Sequence, residues 1–191
     1  REAEERVMPG STALAEAVAR YGFKLMAYKD EYEVARLYTD GAFLNQVAAT
    51  FQGDRMRFNI HLAPPLLAKA DPVTGAPRKM TFGPWMMGAF KVLAKLKGLR
   101  GTAFDPFGYT HERRTERQLV ADYHDLLGEL LKGLAVSNLP LAVALASIPE
   151  KIRGFGHVKE RHLKQAKGEE AELMGRWRSG ETAAPLSQAA E

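Results

Sequence analysis

THERRTERQLVADYHDLLGELLKGL, residues 110–134, carries the clearest pattern in the chain. Its apolar side chains recur at intervals of three and four residues, which places them along one face of an α-helix. These side chains are Leu119, Val120, Tyr123, Leu126, Leu127, Leu130, Leu131 and Leu134. Thr110 is suited to cap the first turn. The pattern predicts the longest helix of the protein, with one face in a hydrophobic core.

The segments that follow are also predicted to be helical. Asn138 is suited to cap a short helix over residues 139–146. Ser147 and Glu150 have the spacing of a capping box, which predicts the start of another short element. Residues 157–177 are rich in Lys, Arg and Glu and predict a helix on the surface.

The N-terminal segments give weaker patterns. The first ten residues are charged and end in Met-Pro-Gly, so we expect them to form a tether. Ser11 is suited to cap a helix over residues 12–21, which Gly22 would end.

A stronger helix follows. Asp30 and Glu33 have capping-box spacing, and apolar residues at helical intervals predict one helix over residues 31–51. Gly41 falls in its middle, where glycine costs about 1 kcal/mol relative to alanine. Such a glycine is tolerated best where another backbone packs closely against it.

One stretch, residues 56–62, alternates between apolar and polar residues as a half-buried strand does. The turn-rich residues 71–77 predict the tip of a hairpin, with a second strand near residues 78–82. A further helix is predicted over residues 85–97. The predicted fold class is α+β and predominantly α-helical, a helix bundle with a small antiparallel β-hairpin.

Composition excludes several kinds of site. None of the 191 residues is cysteine, which excludes disulfides, thiolate-held iron–sulfur clusters and cysteine zinc sites in this chain. No apolar run reaches the roughly 18 residues that a bilayer span needs, so we expect no membrane association. The net charge of +4 is mildly basic, and nucleic acid is not the expected partner. A cytoplasmic location is expected because the lack of disulfides fits a reducing compartment.

Five stretches go beyond what helix or strand propensity explains. They are YEVARLYTDG (32–41), FNIHLAPPLL (58–67), FGPW (82–85), KGLRGTAFDPFGY (97–109) and IRGFGHVKER (152–161). In this order, they resemble the C-terminal region of the long single-chain indolepyruvate:ferredoxin oxidoreductases of bacteria. The resemblance covers most of the chain, and several motifs in one order are more specific than any one of them.

The resemblance implies an accessory domain of an enzyme that oxidatively decarboxylates an aryl 2-oxoacid to an acyl-CoA. Thiamine diphosphate, Mg²⁺ and [4Fe-4S] clusters are expected in the full-length enzyme and none of them in this chain. The chain has no cysteine run and no Gly-Asp-Gly motif of thiamine enzymes, so the isolated fragment is expected to be inactive. The expected partners are the preceding domains of the same polypeptide, ferredoxin, and further copies of the full-length enzyme.

The domain boundaries follow from the same resemblance. The chain begins with Arg1 rather than Met, and we expect it to be part of a longer protein. Residues 1–29 are assigned to a linker or to the edge of a preceding γ-like domain. Residues 30–178 are assigned to the accessory domain, and the small, polar residues 179–191 to a disordered tail.

The first candidate site is the segment between the last two predicted helices. Its glycines allow close approach of a backbone, and the start of the following helix attracts anions. The candidate residues for binding an anion or a partner are Arg153, Gly154, Gly156, His157, Lys159 and Arg161. A tight turn with a solvated charged face explains the same residues, so both interpretations stay open.

The second candidate site is basic. No Asp or Glu occurs between residues 72 and 104, and Lys91, Lys95, Lys97 and Arg100 could dock an acidic ferredoxin or the acidic face of a neighbouring domain. An ordinary solvated surface is the alternative. A different function, an independent basic module for nucleic acid or another acidic partner, also stays open. No catalytic residue is identified, and the histidines lack the spacing of a metal site.

Overall fold

The computed structural model describes residues 1–28, 30–52, 57–63, 78–154 and 156–181. The chain divides into two compact units: unit 1 contains Arg1–Tyr28 and Thr115–Glu191, and unit 2 contains Lys29–Arg114. The α-helices of the described residues are α1 (Glu2–Val7), α2 (Ala13–Met26), α3 (Glu31–Thr39), α4 (Ala42–Thr50), α5 (Met86–Lys95), α6 (His111–Gly133), α7 (Leu139–Ser147) and α8 (Gly156–Ser179). Short 3₁₀ helices span Leu96–Leu99, Val136–Asn138 and Ile148–Lys151. The strands are β1 (Ile60–Leu62) and β2 (Met80–Phe82). The predicted fold class, predominantly helical α+β, is confirmed.

Helix α6 forms where the amphipathic pattern predicts it. Four of the predicted core positions are buried in unit 1, namely Leu119, Tyr123, Leu126 and Leu130. Leu131 is exposed, because it lies at the edge of the apolar face. The predicted cap is also confirmed, since Thr110 Oγ1 accepts a hydrogen bond from the backbone N–H of Arg113 at 3.3 Å.

Helix α7 is the most completely buried element of unit 1. Its buried side chains are Leu139, Leu141, Ala142, Leu145 and Ala146. A helix that is apolar around its whole circumference is one surrounded by protein, and α2 and α8 both contact it. Within the part of the chain that the structure describes, no helix is long and apolar enough to cross a bilayer.

Two predicted caps near α7 are wrong. The Asn138 side chain accepts from the backbone N–H of Ala135 and donates to the carbonyl of Gly133, both at 2.8 Å, so it does not cap α7. The predicted short element after Ser147 is present as a 3₁₀ helix, Ile148–Lys151, but Ser147 Oγ donates to the carbonyl of Val143 at 2.7 Å and does not cap it. In both cases the side chain satisfies carbonyls of the preceding helix, a local alternative open to Asn and Ser.

The start of the chain is helical, contrary to the predicted tether. Glu4 of α1 is 1% exposed, and its carboxylate accepts hydrogen bonds from Leu14 N and Ala15 N at 2.9 Å and from Ser11 Oγ at 2.7 Å. Burial alone would raise the pKa of Glu4, but these hydrogen bonds outweigh burial and lower it. Glu4 therefore caps α2, and Ser11, the predicted cap, is instead a donor to Glu4.

The units divide the chain differently from the sequence prediction. Leu14 and Leu25 of α2 lie in the same hydrophobic core as α6 and α7, so residues 1–28 are part of unit 1 and not a linker. Helix α2 also continues through the predicted stop at Gly22. The single domain predicted over residues 30–178 is two units, and most of the predicted tail, residues 182–191, lies outside the described residues.

Unit 2 combines α3, α4 and α5 with the hairpin. Strands β1 and β2 pair antiparallel, as predicted, and the register places Ile60 opposite Phe82 and Leu62 opposite Met80. Strand β1 begins at Ile60, whereas the prediction began at residue 56. The predicted tip, residues 71–77, lies outside the described part of the chain. The buried core residues of this unit are Ala35, Ile60, Met86 and Phe90. One face of the hairpin thus packs with α3 and α5.

The helix predicted over residues 31–51 is two helices. Gly41 has φ +94°, a left-handed conformation that glycine adopts more easily than other residues, and it separates α3 from α4. The predicted start is confirmed, because Asp30 accepts a hydrogen bond from the backbone N–H of Glu33 at 2.7 Å. The helical spacing of apolar residues continues past Gly41, but the helical conformation of the backbone is interrupted there.

Candidate functional site

The first candidate segment forms the turn that leads into α8. Gly154 has φ +90° and Gly156 has φ +53°, so both positions favour glycine. A Cβ on Gly154 would also lie 2.8 Å from Cγ1 of Val158. Helix α8 begins one residue before the predicted start at His157, whose side chain lies outside the described part of the chain. The turn geometry is sufficient reason for both glycines.

Two cations of this segment are engaged in contacts within unit 1. Arg153 Nε donates to the carbonyl of Glu150 at 3.0 Å, and Arg153 Nη2 lies 3.2 Å from the Glu150 carboxylate. Lys159 forms an ion pair with Glu116, and both side chains are largely buried. Arg161 is exposed. The structure therefore places Arg153 and Lys159 in structural pairs beside the turn.

A third cation of this region was not found from the sequence. Lys24 of α2 donates from Nζ to the carbonyl oxygens of Pro149 at 2.7 Å and Glu150 at 2.8 Å. Burial lowers the pKa of Lys24, and the positive charges of Arg153 and Lys159 lower it further. Lys24 is 125 residues from Pro149 in the chain, and no local pattern links them. The positive charge of Lys24 thus lies close to those of Arg153 and Lys159, while the Glu150 carboxylate partly offsets them.

The second candidate site, the basic residues proposed for partner docking, has three exposed lysines and one arginine that is paired within unit 2. Lys91 and Lys95 on α5 and Lys97 just after it are exposed. Arg100 instead pairs with Asp30, at 2.7 Å between Nη2 and Oδ2, and Asp30 is buried. Arg100 thus satisfies a carboxylate that also caps α3, whereas the three lysines lie on the surface.

A buried carboxylate organises the loop between α5 and α6. Asp105 is 3% exposed and accepts hydrogen bonds from Gly101 N at 2.9 Å, Phe107 N at 3.1 Å and the Tyr32 hydroxyl at 3.0 Å. Burial alone would raise the pKa of Asp105, but these bonds outweigh burial and lower it. Burial and the bond to Asp105 raise the pKa of Tyr32 to about 12. Asp105 therefore stays ionised as a structural acceptor.

Two of the stretches that carry the resemblance meet at this network. Tyr32 belongs to residues 32–41 and Asp105 to residues 97–109. The rings of Tyr32 and Phe107 also pack edge to face, with centroids 5.5 Å apart. The sequence contained a signal for this loop, its Asp-Pro and Gly punctuation, but none for the partner of Asp105.

The residues present do not fit an iron–sulfur cluster, because the chain has no thiolate ligand. Among the described residues, no group of three or more His, Asp and Glu could hold a metal ion. His61 Nδ1 lies 3.0 Å from Thr81 Oγ1 on the exposed face of the hairpin. No step of a cluster-dependent or thiamine-dependent reaction is assigned to residues of this chain.

Comparison with known proteins gives a family without a described activity. Residues 1–172 match a family model described as a family of unknown function, DUF6537. No curated protein and no solved structure matches the chain. The family match covers well over half of the sequence and reaches both units. The chain therefore belongs to the DUF6537 family.

Proposed function

We propose that the chain is a C-terminal accessory domain of a thiamine-diphosphate-dependent indolepyruvate (aryl 2-oxoacid):ferredoxin oxidoreductase. In this proposal thiamine diphosphate, Mg²⁺ and [4Fe-4S] clusters are bound by preceding parts of the same cytoplasmic polypeptide. Those cofactors supply decarboxylation and electron transfer. The residues of this chain contribute a folded surface to the assembly, and the fragment alone does not turn over substrate.

The positions of the five resembling stretches support this role. Ala35, Ile60 and Phe82, each from a different stretch, belong to or pack against the core of unit 2. Asp105, from a fourth, fixes the loop before α6 through the Tyr32 hydroxyl. The stretches that carry the resemblance thus supply buried contacts, which is the pattern expected of residues that serve the fold and not the chemistry.

The fifth stretch supports the same interpretation in unit 1. Gly154 and Gly156 form the turn before α8. Lys159 pairs with Glu116 of α6. A largely buried ion pair and a glycine turn are sufficient to explain these residues without a bound substrate.

The full-length gene product tests the proposal. Purified enzyme is expected to reduce ferredoxin with indolepyruvate and coenzyme A. In that enzyme, Asp105→Asn is expected to lower the melting temperature because it weakens the hydrogen bonds that the buried Asp105 carboxylate accepts, while kcat per folded enzyme changes by less than about twofold. The matched control is Asp40→Asn, which changes an exposed carboxylate of the same unit and is expected to have a smaller effect on melting.

Two outcomes would reject the proposal. One is a gene product that oxidises no aryl 2-oxoacid. The other is an Asp105→Asn enzyme that loses kcat at an unchanged melting temperature, which would place Asp105 in the chemistry.

The alternative function is an independent basic module. Residues 29–114 contain 13 Lys and Arg against 8 Asp and Glu, whereas the rest of the chain contains 14 against 15. The basic charge therefore lies in unit 2. If this unit binds nucleic acid, the affinity for a labelled single-stranded oligonucleotide should fall steeply with salt. Fluorescence anisotropy at two salt concentrations measures this, and we expect no specific binding.

A further inference from the structure

Helix α5 has an exposed apolar stripe. Trp85, at the start of the helix, is 65% exposed, Val92 is 60% exposed and Leu96, just after the helix, is 43% exposed. Residues seven and eleven positions apart on a helix lie along one line of its surface. Met86 and Phe90 of the same helix are buried in the core of unit 2. Val92 and Leu96 therefore lie apart from the buried face of α5, while the ring of Trp85 packs edge to face on Phe82 of β2, with centroids 5.8 Å apart, and stays 65% exposed.

Basic side chains flank the stripe. Lys91 and Lys95 are exposed and lie one turn apart on α5, and Lys97 follows. Within the described residues, no acidic side chain forms an ion pair with any of these lysines, and residues 72–104 contain no Asp or Glu.

Three of the described acidic residues of unit 2 pair with arginines. Asp30 pairs with Arg100, while Glu33 and Asp40 both pair with Arg36. Within the described residues, Lys91 and Lys95 thus form no ion pair, and their charges are available to an external partner.

We propose that this α5 face, made of Trp85, Lys91, Val92, Lys95 and Leu96, is a docking surface for a separate acidic protein. An apolar centre containing a tryptophan, with a charged rim, is the usual composition of a protein interface. The rim lysines attract an acidic partner and speed its association. Because the apolar centre is only three side chains long, the face suits a partner that binds and dissociates. This inference stands independently of the reaction proposed above.

Other classes of partner fit this face less well. Single-stranded nucleic acid binds where several aromatic side chains stack on bases, and Val92 and Leu96 cannot stack. A membrane-surface helix buries its broad apolar face in lipid, whereas the broad apolar face of α5 contains Met86 and Phe90, which are buried in unit 2. A stripe with a single aromatic and two aliphatic side chains, rimmed by lysines, therefore favours a protein partner.

Photo-crosslinking tests this inference. The full gene product carries the photo-reactive residue and is expressed in the organism that naturally produces it. p-Benzoylphenylalanine replaces Val92 in one protein and Val136 in the control. Val136 is a valine of unit 1 with 59% exposure, nearly that of Val92. We expect a cross-linked separate protein at position 92 only, joined through a peptide of net negative charge.

Charge changes then decide whether the contact is the proposed one. In Lys91→Glu/Lys95→Glu the cross-link yield is expected to fall about tenfold. When the protein without charge changes is irradiated in a lysate of the same cells, a higher salt concentration should lower the cross-link yield. Lys substitutions at the acidic residues of the cross-linked peptide should restore the yield. Lys91→Gln/Lys95→Gln, with an unchanged melting temperature, should show a smaller loss and thereby separate charge from folding.

The inference is overturned if position 92 gives no more product than position 136. It is also overturned if the product is nucleic acid, lipid or a segment of the same polypeptide, or if the yield does not respond to salt and charge. Activity of the enzyme is not the readout, so failure of the proposed function leaves this test intact.

Discussion

Replacing Tyr32 with phenylalanine tests the buried network of unit 2 most sharply. The change removes the hydroxyl that donates to Asp105 at 3.0 Å and leaves the ring beside Phe107. Asp105 retains its bonds from Gly101 N and Phe107 N. A hydrogen bond to a charged group contributes about 1.5–3 kcal/mol, and both partners are buried here. We therefore expect the opening free energy of unit 2 to fall by about 2 kcal/mol.

Hydrogen exchange followed by mass spectrometry measures this loss locally. When reclosing is faster than chemical exchange, the exchange rate reports the opening free energy. About 2 kcal/mol corresponds to about 30-fold faster exchange, since about 1.4 kcal/mol is tenfold. We expect the change in peptides that cover residues 31–39 and 101–109.

The control is Tyr109→Phe, which makes the same chemical change in the same loop. The Tyr109 hydroxyl donates to the carbonyl of Ala103 at 2.9 Å, but the side chain is exposed. Water can replace that bond, so exchange should rise by less than about threefold. If Tyr32→Phe has no larger effect than Tyr109→Phe, the stabilising role given to the Tyr32–Asp105 bond is wrong.

Three further predictions concern unit 1. The pKa of Glu4 is lower in the folded protein than its ordinary value of 4.5, so its contribution is present above that value and is lost as the pH falls through the lowered pKa. In acid titrations followed by circular dichroism, Glu4→Gln should therefore lower stability at neutral pH by about 1–2 kcal/mol and flatten the acid dependence; an unchanged curve would contradict the cap. Gly154→Ala should lower the free energy of unfolding in urea by at least about 1 kcal/mol because of its positive φ and crowding, whereas Gly175→Ala, in open space on α8, should be neutral or stabilising. Lys159→Ala should cost about 2 kcal/mol or more in the same titration, since it removes the cation beside the buried Glu116 carboxylate; a loss below about 0.5 kcal/mol would restore Lys159 as a ligand-binding candidate.

Local patterns predicted most of the helices and the hairpin, but not α1 or the break between α3 and α4. The repeat of Leu119, Tyr123, Leu126 and Leu130 fixes one face of α6, because helical spacing and burial are both properties of a short window. The alternation before Leu62 similarly predicted β1. In these segments the local sequence alone is sufficient to predict whether the backbone forms a helix or a strand.

Long-range contacts could not be predicted in the same way. Glu4 occurs among charged residues and resembles a surface side chain, yet its partners lie ten and eleven positions later. Tyr32 and Asp105 are 73 positions apart. A carboxylate becomes a buried acceptor only when the fold brings hydrogen-bond donors to it. Helix and strand propensities describe short segments and carry no information about such distant donors.

The candidate site shows the same division. The glycines of the turn before α8 could be identified from the sequence, but the pairing of Lys159 with Glu116 depends on how α8 packs against α6. The exposed lysines of α5 were found from charge alone. The apolar stripe beside them became visible only once α5 had a buried face.

The most direct test of the central claim is an assay of the isolated chain with indolepyruvate, coenzyme A and ferredoxin, alongside an iron determination. With no thiolate in the sequence, the preparation should be colourless, contain no stoichiometric iron and reduce no ferredoxin, while the full gene product is active. A brown preparation of this chain that decarboxylates the oxoacid unaided would contradict the accessory role.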